Sequence, residues 1–114
     1  MRVLHTVDFE EWYEALNPKH QESTDRLIQL LEINGVNLGF PYSSSIEGSR
    51  YPFRELRIQT AGHAIRVIYA FDPHRDALLI LGGDKTGKKE KRFYKQLISK
   101  SQAIWEQYLE DLKS

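Results

Sequence analysis

Between Phe53 and Leu81 the chain settles into a two-residue alternation, and this constrains its fold more than any other feature. In Phe53–Thr60, Leu56 and Ile58 fall on one side while Glu55 and Arg57 fall on the other. In Ala64–Phe71, Ile65, Val67, Tyr69 and Phe71 share one side, with Arg66, Ile68 and Ala70 opposite. A period of two sends successive side chains to opposite faces of a strand. The Ala61-Gly62-His63 connection is short enough that the two strands must run antiparallel. Asp72-Pro73-His74-Arg75-Asp76 forms the next turn, and the apolar run Ala77–Leu81 supplies a third strand with a central place in the sheet.

The flanking segments read as helices around this sheet. Residues 2–7 are short and β-branched enough for an opening strand. Asp8, followed three residues later by Glu11, has the pattern of a capping box, and Phe9, Trp12, Tyr13 and Leu16 recur at helical spacing. Asn17-Pro18 ends that helix, because a residue before proline is pushed out of the helical region. A second helix covers Lys19–Asn34 on the stripe Thr24, Leu27, Ile28 and Leu31, closing at Asn34-Gly35. Val36–Pro52, rich in glycine, serine and proline, reads as a loop. Lys88 to about Leu112 reads as a long helix burying Tyr94, Leu97, Ile98, Ile104, Trp105, Tyr108 and Leu112. The order is βααβββα. This predicts an α+β domain spanning residues 1–114, in two layers: an antiparallel sheet with an N-terminal helical hairpin and a C-terminal helix. One sheet face packs on helices, and the other is expected to be shallow and free.

The 114 residues suffice for one core, and a hydrophobic content of 40% with 28% charged residues excludes a disordered chain. Without cysteine there is neither a disulfide framework nor a thiolate metal site, which suits a reducing cytoplasm. The N-terminus lacks the apolar run of a signal peptide, and Ala77–Leu81 is far too short to span a bilayer. The net charge is zero but unevenly distributed. Residues 1–49 carry eight acidic and three basic side chains, a balance of −5, whereas residues 50–100 carry twelve basic and five acidic, a balance of +7. The middle of the chain is thus a basic patch in a neutral protein.

Cations projecting from a small sheet are suited to gripping a phosphodiester. Arginine keeps its charge and offers phosphate oxygens a planar fork of donors. Arg66, assisted by Arg57, is the first candidate; the competing reading is a salt bridge to Asp72 or Glu55. Lys85 follows Gly82-Gly83, where backbone can approach a ligand closely, or else it is a solvated loop lysine. Tyr94 could stack on a base or donate a proton, although its spacing from Leu97 and Ile98 also fits a core position. Lys88-Lys89-Glu90-Lys91-Arg92 could follow a phosphate backbone or form a solvated first turn, and lysines there oppose the helix dipole. Gly82-Gly83-Asp84-Lys85-Thr86-Gly87 lacks the spacing of a P-loop, so ATP is not expected. His5, His20, His63 and His74 show no metal-ligand spacing, so no metal or cofactor is expected. Only His63, beside the basic strands, is a candidate acid, against the simpler reading of a structural histidine. Ser43-Ser44-Ser45 reads as loop composition.

Three segments in order, Phe53-Arg54-Glu55-Leu56-Arg57, Arg66-Val67-Ile68-Tyr69-Ala70-Phe71-Asp72 and Leu81-Gly82-Gly83-Asp84-Lys85-Thr86-Gly87, resemble the RelE/ParE superfamily of bacterial toxins, in particular its HigB-like, phage-derived branch. Phe9-Glu10-Glu11-Trp12 and the leucine-rich second helix stand where that family has its helical hairpin, so the resemblance spans about residues 2–109. It implies a cytoplasmic toxin of a type II toxin–antitoxin system, acting as a metal-independent, ribosome-dependent mRNA endonuclease that inhibits translation. The alternatives are a non-nuclease toxin of the same fold that binds a protein such as DNA gyrase, or an inactive antitoxin-binding module. The implied partners are mRNA on the ribosome and a helix-turn-helix, HigA-like antitoxin, through which alone the protein would reach specific DNA. The positions matching the family's site are Arg57, or alternatively Arg54, together with Arg66 and Lys85, with Tyr94 or Arg92 as a further polar group. Arg54, Lys88, Lys89, Lys91 and Arg92 would then contact RNA.

Overall fold

The alternating segment forms a hairpin of β3 (Arg54–Thr60) and β4 (His63–Phe71) in the computed structural model, which describes residues 1–114. Their register pairs Glu55 with Ile68 and Arg57 with Arg66. On the far side of β4 runs β5 (Ala77–Asp84), antiparallel to it, and β1 (Val3–His5) pairs with β5 in parallel. A fifth strand, β2 (Ser43–Ser45), borders β3, giving the sheet order β1-β5-β4-β3-β2. Around the sheet stand α1 (Val7–Glu14), α2 (Pro18–Asn34) and α3 (Glu90–Lys113).

The α+β class read from the sequence holds, but one strand is added to the expected order, and β1 pairs with β5 in parallel, so the sheet is mixed rather than wholly antiparallel. Four particulars differ. First, Ser43–Ser45 is an edge strand rather than a loop. Its serines have weak strand preference, but Ser43 Oγ lies 2.6 Å from the buried Tyr69 hydroxyl, and the Ser44 hydroxyl donates to Glu55 at 2.8 Å. Second, α1 is capped by Thr6 rather than Asp8. The Thr6 hydroxyl accepts from the Phe9 N–H at 2.9 Å and donates to the Ile80 carbonyl at 2.7 Å, so the residue that ends the β1 pairing also begins the helix. Third, β5 continues through Gly82-Gly83 to Asp84 instead of ending at Leu81.

The fourth difference concerns the face expected to be free. Phe9, Leu27 and Leu31 of the helical hairpin pack on Leu56, Ile58 and Val67, while Phe93, Leu97 and Trp105 of α3 pack on Ile68, Leu78 and Ile80. Both faces are therefore covered. Phe53, Ile68, Ala70, Leu78 and Ile80 carry no charge, and an apolar strip of that size requires its own cover. A register shift between Ile68 and Tyr69 leaves Ile80 as the extra residue of a bulge. Beyond it, Gly82 meets the Trp12 ring, and Gly83 meets Phe93 on the other face. A Cβ on Gly82 would stand 2.5 Å from Trp12 ring atoms, and one on Gly83 would stand 3.0 Å from Phe93. The glycine pair thus lies in a strand rather than a loop and admits aromatic rings to both of its faces.

Candidate functional site

Arg57 and Arg66 face each other directly across β3 and β4, on the side where α3 begins. Like charges in that position repel, so the sheet needs an anion between them. Glu55 supplies it from the same face of β3, two residues before Arg57. Its Oε2 accepts from Arg57 Nη1 at 3.2 Å and from the Ser44 hydroxyl at 2.8 Å. Its Oε1 accepts from the Tyr94 hydroxyl at 2.6 Å and lies 3.5 Å from Arg66 Nε. The Glu55 and Arg66 side chains are only 5% and 4% exposed. Arg66 Nε is out of line for a hydrogen bond with any group, while Nη1 donates to the Ile65 carbonyl at 3.0 Å. Arg57, at 28%, opens toward solvent.

The end of β5 and the first turn of α3 complete the cluster. The Lys85 N–H donates to the Ala64 carbonyl at 3.0 Å, which fixes the residue beside the sheet. Its Nζ donates to Glu90 Oε1 at 2.9 Å and stands 5.8 Å from the Tyr94 ring centroid. Glu90 is held below the ordinary carboxylate range by the Lys85 hydrogen bond and charge, and further by the fields of Arg66 and Arg57. An anion at the start of α3 is therefore held by Lys85, with the two arginines adding a weaker, more distant field. Burial, followed by the bond to Glu55, pushes the Tyr94 hydroxyl up to about 12, against an opposing pull from Arg66. Tyr94 is thus a protonated donor near neutral pH.

The fold brings Arg57, Arg66, Lys85 and Tyr94 together, and leaves other candidates apart. Arg54 is on the opposite face, where its guanidinium donates to Ser43 Oγ at 3.1 Å, Tyr69 Oη at 3.3 Å and the Leu38 carbonyl at 3.4 Å. Those partners tie a loop to the sheet and remove Arg54 from the cationic cluster. Lys88, Lys89, Lys91 and Arg92 are exposed around the start of α3, and no side chain caps this helix. His63 points away, with Nδ1 2.6 Å from Asp84 and its ring 4.7 Å from that of His20 on α2. Glu55 is the residue that sequence reasoning undervalued, having named it only as a salt-bridge partner. Glu90 and Phe40, whose ring centroid is 5.2 Å from the Arg57 guanidinium carbon, were not singled out.

A family described as phage derived protein Gp49-like matches residues 11–106. "Putative toxin HigB3" of Mycobacterium tuberculosis (strain ATCC 25618 / H37Rv) is 42% identical over 95 residues, covering 82% of this chain and 81% of that protein. "Putative toxin HigB2" of the same organism is 34% identical over 88 residues, covering 73% of this chain and 44% of that protein. Among solved structures, a mutant of E. coli toxin RelE in the free state superposes with a TM-score of 0.58 at 12% identity, covering 87% of this chain and 94% of that one. That likeness concerns the fold.

Proposed function

This chain belongs to the phage-derived Gp49-like family and is HigB-like with the RelE fold, and from that premise we propose that it is a toxin cleaving messenger RNA on the ribosome. The observation that supports this reading most directly is the cationic cluster at the start of α3, where Arg57 and Arg66 stand opposed across β3 and β4 and Lys85, past the end of β5, reaches Glu90 at 2.9 Å. In the resting protein the Glu90 carboxylate holds that place. Glu90 is exposed, so a phosphodiester can displace it without disturbing the core.

Cleavage proceeds by attack of the 2′-oxygen on phosphorus, loss of the 5′-oxygen and proton transfers at both ends. The phosphorane carries more negative charge than the diester, so fixed cations bind it more tightly than the ground state. Arg57 and Lys85 are open enough to touch the phosphate oxygens. Arg66 is enclosed behind them and contributes its field while orienting Glu55 and Tyr94. Tyr94, whose one O–H is given to Glu55 in the resting protein, would act as the acid by turning that proton from Glu55 to the leaving 5′-oxygen. Lys88, Lys89, Lys91 and Arg92 extend the positive surface along α3 for the flanking phosphates.

Toxins of this kind act against a cognate antitoxin, and we infer a helix-turn-helix protein of the HigA type. A ribosomal target implies a cytoplasmic protein, and no helix here is long and apolar enough to cross a membrane. The test is primer extension on reporter mRNA, alone and on translating ribosomes, with wild type, Lys85→Ala and Arg66→Ala. Cuts that require ribosomes and fall at least a hundredfold in Lys85→Ala, with folding intact, are expected, about the loss seen on removing one donor to a developing oxyanion. A toxic chain that leaves transcripts whole would transfer the search to a protein target such as gyrase.

A further inference from the structure

We propose that Phe40 is a stacking platform for a nucleobase of the bound RNA, next to the phosphate held by Arg57. The inference rests on the RNA-cleavage reading and adds to it a base-binding subsite. Phe40 is 77% exposed. A single exposed apolar side chain is ordinary on a protein surface and would carry nothing alone. Here the ring is tied to the site in two ways.

Its turn is fixed to the strand that bears Arg57. The N–H groups of Tyr42 and Ser43 both donate to the Gly39 carbonyl, at 3.0 and 3.1 Å, and the Arg57 N–H donates to the Tyr42 carbonyl at 2.8 Å. Leu38, at the base of the turn, is buried. The second tie is between side chains, with the Arg57 guanidinium 5.2 Å from the ring centroid. A guanidinium over an aromatic ring is an attractive pairing that occupies one face of the ring. The high exposure of Phe40 leaves the other face to solvent.

Single-stranded RNA presents this arrangement with its complement. Each nucleotide carries a phosphate and, within a few ångströms, a flat base whose faces are free once the strand is unstacked. Proteins that hold such strands combine cations for the backbone with aromatic rings for the bases. Stacking offers no hydrogen-bond readout, so Phe40 should position a base with little regard to its identity, favouring purines through their larger faces. By lodging the neighbouring base, it would set which phosphate lies at Arg57 and Lys85.

The test is a cycle between protein and message. Single-turnover cleavage at subsaturating enzyme is measured on programmed ribosomes for wild type, Phe40→Ala and Phe40→Trp, using messages with an abasic nucleotide at each position around the cut. Phe40→Ala is expected to slow cleavage of the intact message about tenfold, within the range reported for losing one stacked base, while Phe40→Trp restores it. At one position the abasic substitution should slow wild type by a similar factor and leave Phe40→Ala no slower. Wild-type rates in Phe40→Ala overturn the proposal, as does a loss undiminished at every abasic position. Unchanged cleavage with weakened antitoxin binding would assign the ring to a protein partner and overturn it as well. Failure of wild type itself to cut would remove the underlying reading, an outcome distinct from these.

Discussion

Replacing Glu55 with glutamine removes one charge and almost no volume, and should still destabilise the protein severely. The carboxylate serves donors on both oxygens: Tyr94 and Arg66 at Oε1, Ser44 and Arg57 at Oε2. A glutamine must set its NH2 on one side or the other, and either orientation turns an N–H group toward an arginine. The tyrosine and serine hydroxyls can rotate and accept, but a guanidinium cannot. Water can reach Arg57, at 28% exposure, and limits the loss there, whereas Arg66, at 4%, keeps a buried charge without its counter-ion. Breaking a buried pair costs about 3–5 kcal/mol, and the 3.5 Å, misaligned contact puts this pair near 3 kcal/mol. An unfolding entropy of about 2.1 cal/mol/K per residue gives ~0.24 kcal/mol/K for 114 residues, so the melting temperature should fall about 12 °C. Thermal and urea unfolding of Glu55→Gln, Glu55→Leu, Arg66→Met and the Glu55→Leu/Arg66→Met double variant supply the measurement. The double variant should be more stable than the sum of its single changes predicts, because it leaves no buried charge unpaired and Arg57 is open to water. A Glu55→Gln melting point within about 3 °C of wild type, or strict additivity in the double variant, would refute the role of Glu55 as the counter-ion that permits two opposed arginines.

Three further outcomes are expected. Gly82→Ala should destabilise by about 1–3 kcal/mol, because its Cβ would stand 2.5 Å from the Trp12 ring, and Trp12→Leu should recover part of that loss in chemical denaturation. Arg54→Ala should lower stability by about 1–2 kcal/mol in the same assay while leaving the cleavage rate per folded molecule unchanged, since its donors serve Ser43, Tyr69 and Leu38 on the far face. Tyr13, Tyr94 and Tyr108 are each pushed up to about 12, chiefly by burial and then by Asp25, Glu55 and Asp72 respectively. The folded state therefore favours the protonated phenols. The associated stability is complete below the ordinary tyrosine value near 10 and is lost as pH rises toward 12. Tyr51 is raised as well, chiefly by its hydrogen bond to Glu106, so tyrosinate absorbance should show four late-titrating groups, one of which disappears in Tyr94→Phe.

The strands with a two-residue period were legible because burial of one face leaves its mark on every second residue. The same period could have excluded Arg54 from the site, since an even-numbered position on β3 cannot share a face with Glu55 and Arg57. What was not legible depended on contacts between distant segments. Ser43–Ser45 carries no apolar residue to mark a strand, and its pairing is secured by Tyr69, Glu55 and the β3 backbone. Thr6 and Asp8 are both good capping residues, and the choice falls to Thr6 because its backbone and hydroxyl bond Leu79 and Ile80 on β5. Gly82-Gly83 in isolation suggested a loop, and only the arrival of Trp12 and Phe93 on opposite faces explains two consecutive strand glycines. Glu55, in plain view two residues before Arg57, became central only once α3 returned to bring Tyr94 and bury it.

The net charge of zero argues against a nucleic-acid partner only if charge acts from the whole molecule, and in physiological salt it does not. Charges farther apart than about 8 Å are largely screened. The molecule extends 41 × 31 × 26 Å, so a phosphate at the start of α3 responds to that neighbourhood alone. Residues 85–100 carry seven basic side chains against the single acidic Glu90, which is already paired with Lys85. The compensating acidic residues are mainly on α1, α2 and the last turns of α3, as with Glu10, Glu14, Glu22 and Asp111. Neutrality is thus a property of the sum, and the start of α3 is locally basic, although Asp8 and Asp84 line the same cavity as Lys88 and Lys100. A local excess of that kind attracts the negative backbone of RNA to this stretch of surface. It adjoins Arg57, Lys85 and Tyr94, so the field that captures the strand brings it toward the groups proposed to act on it.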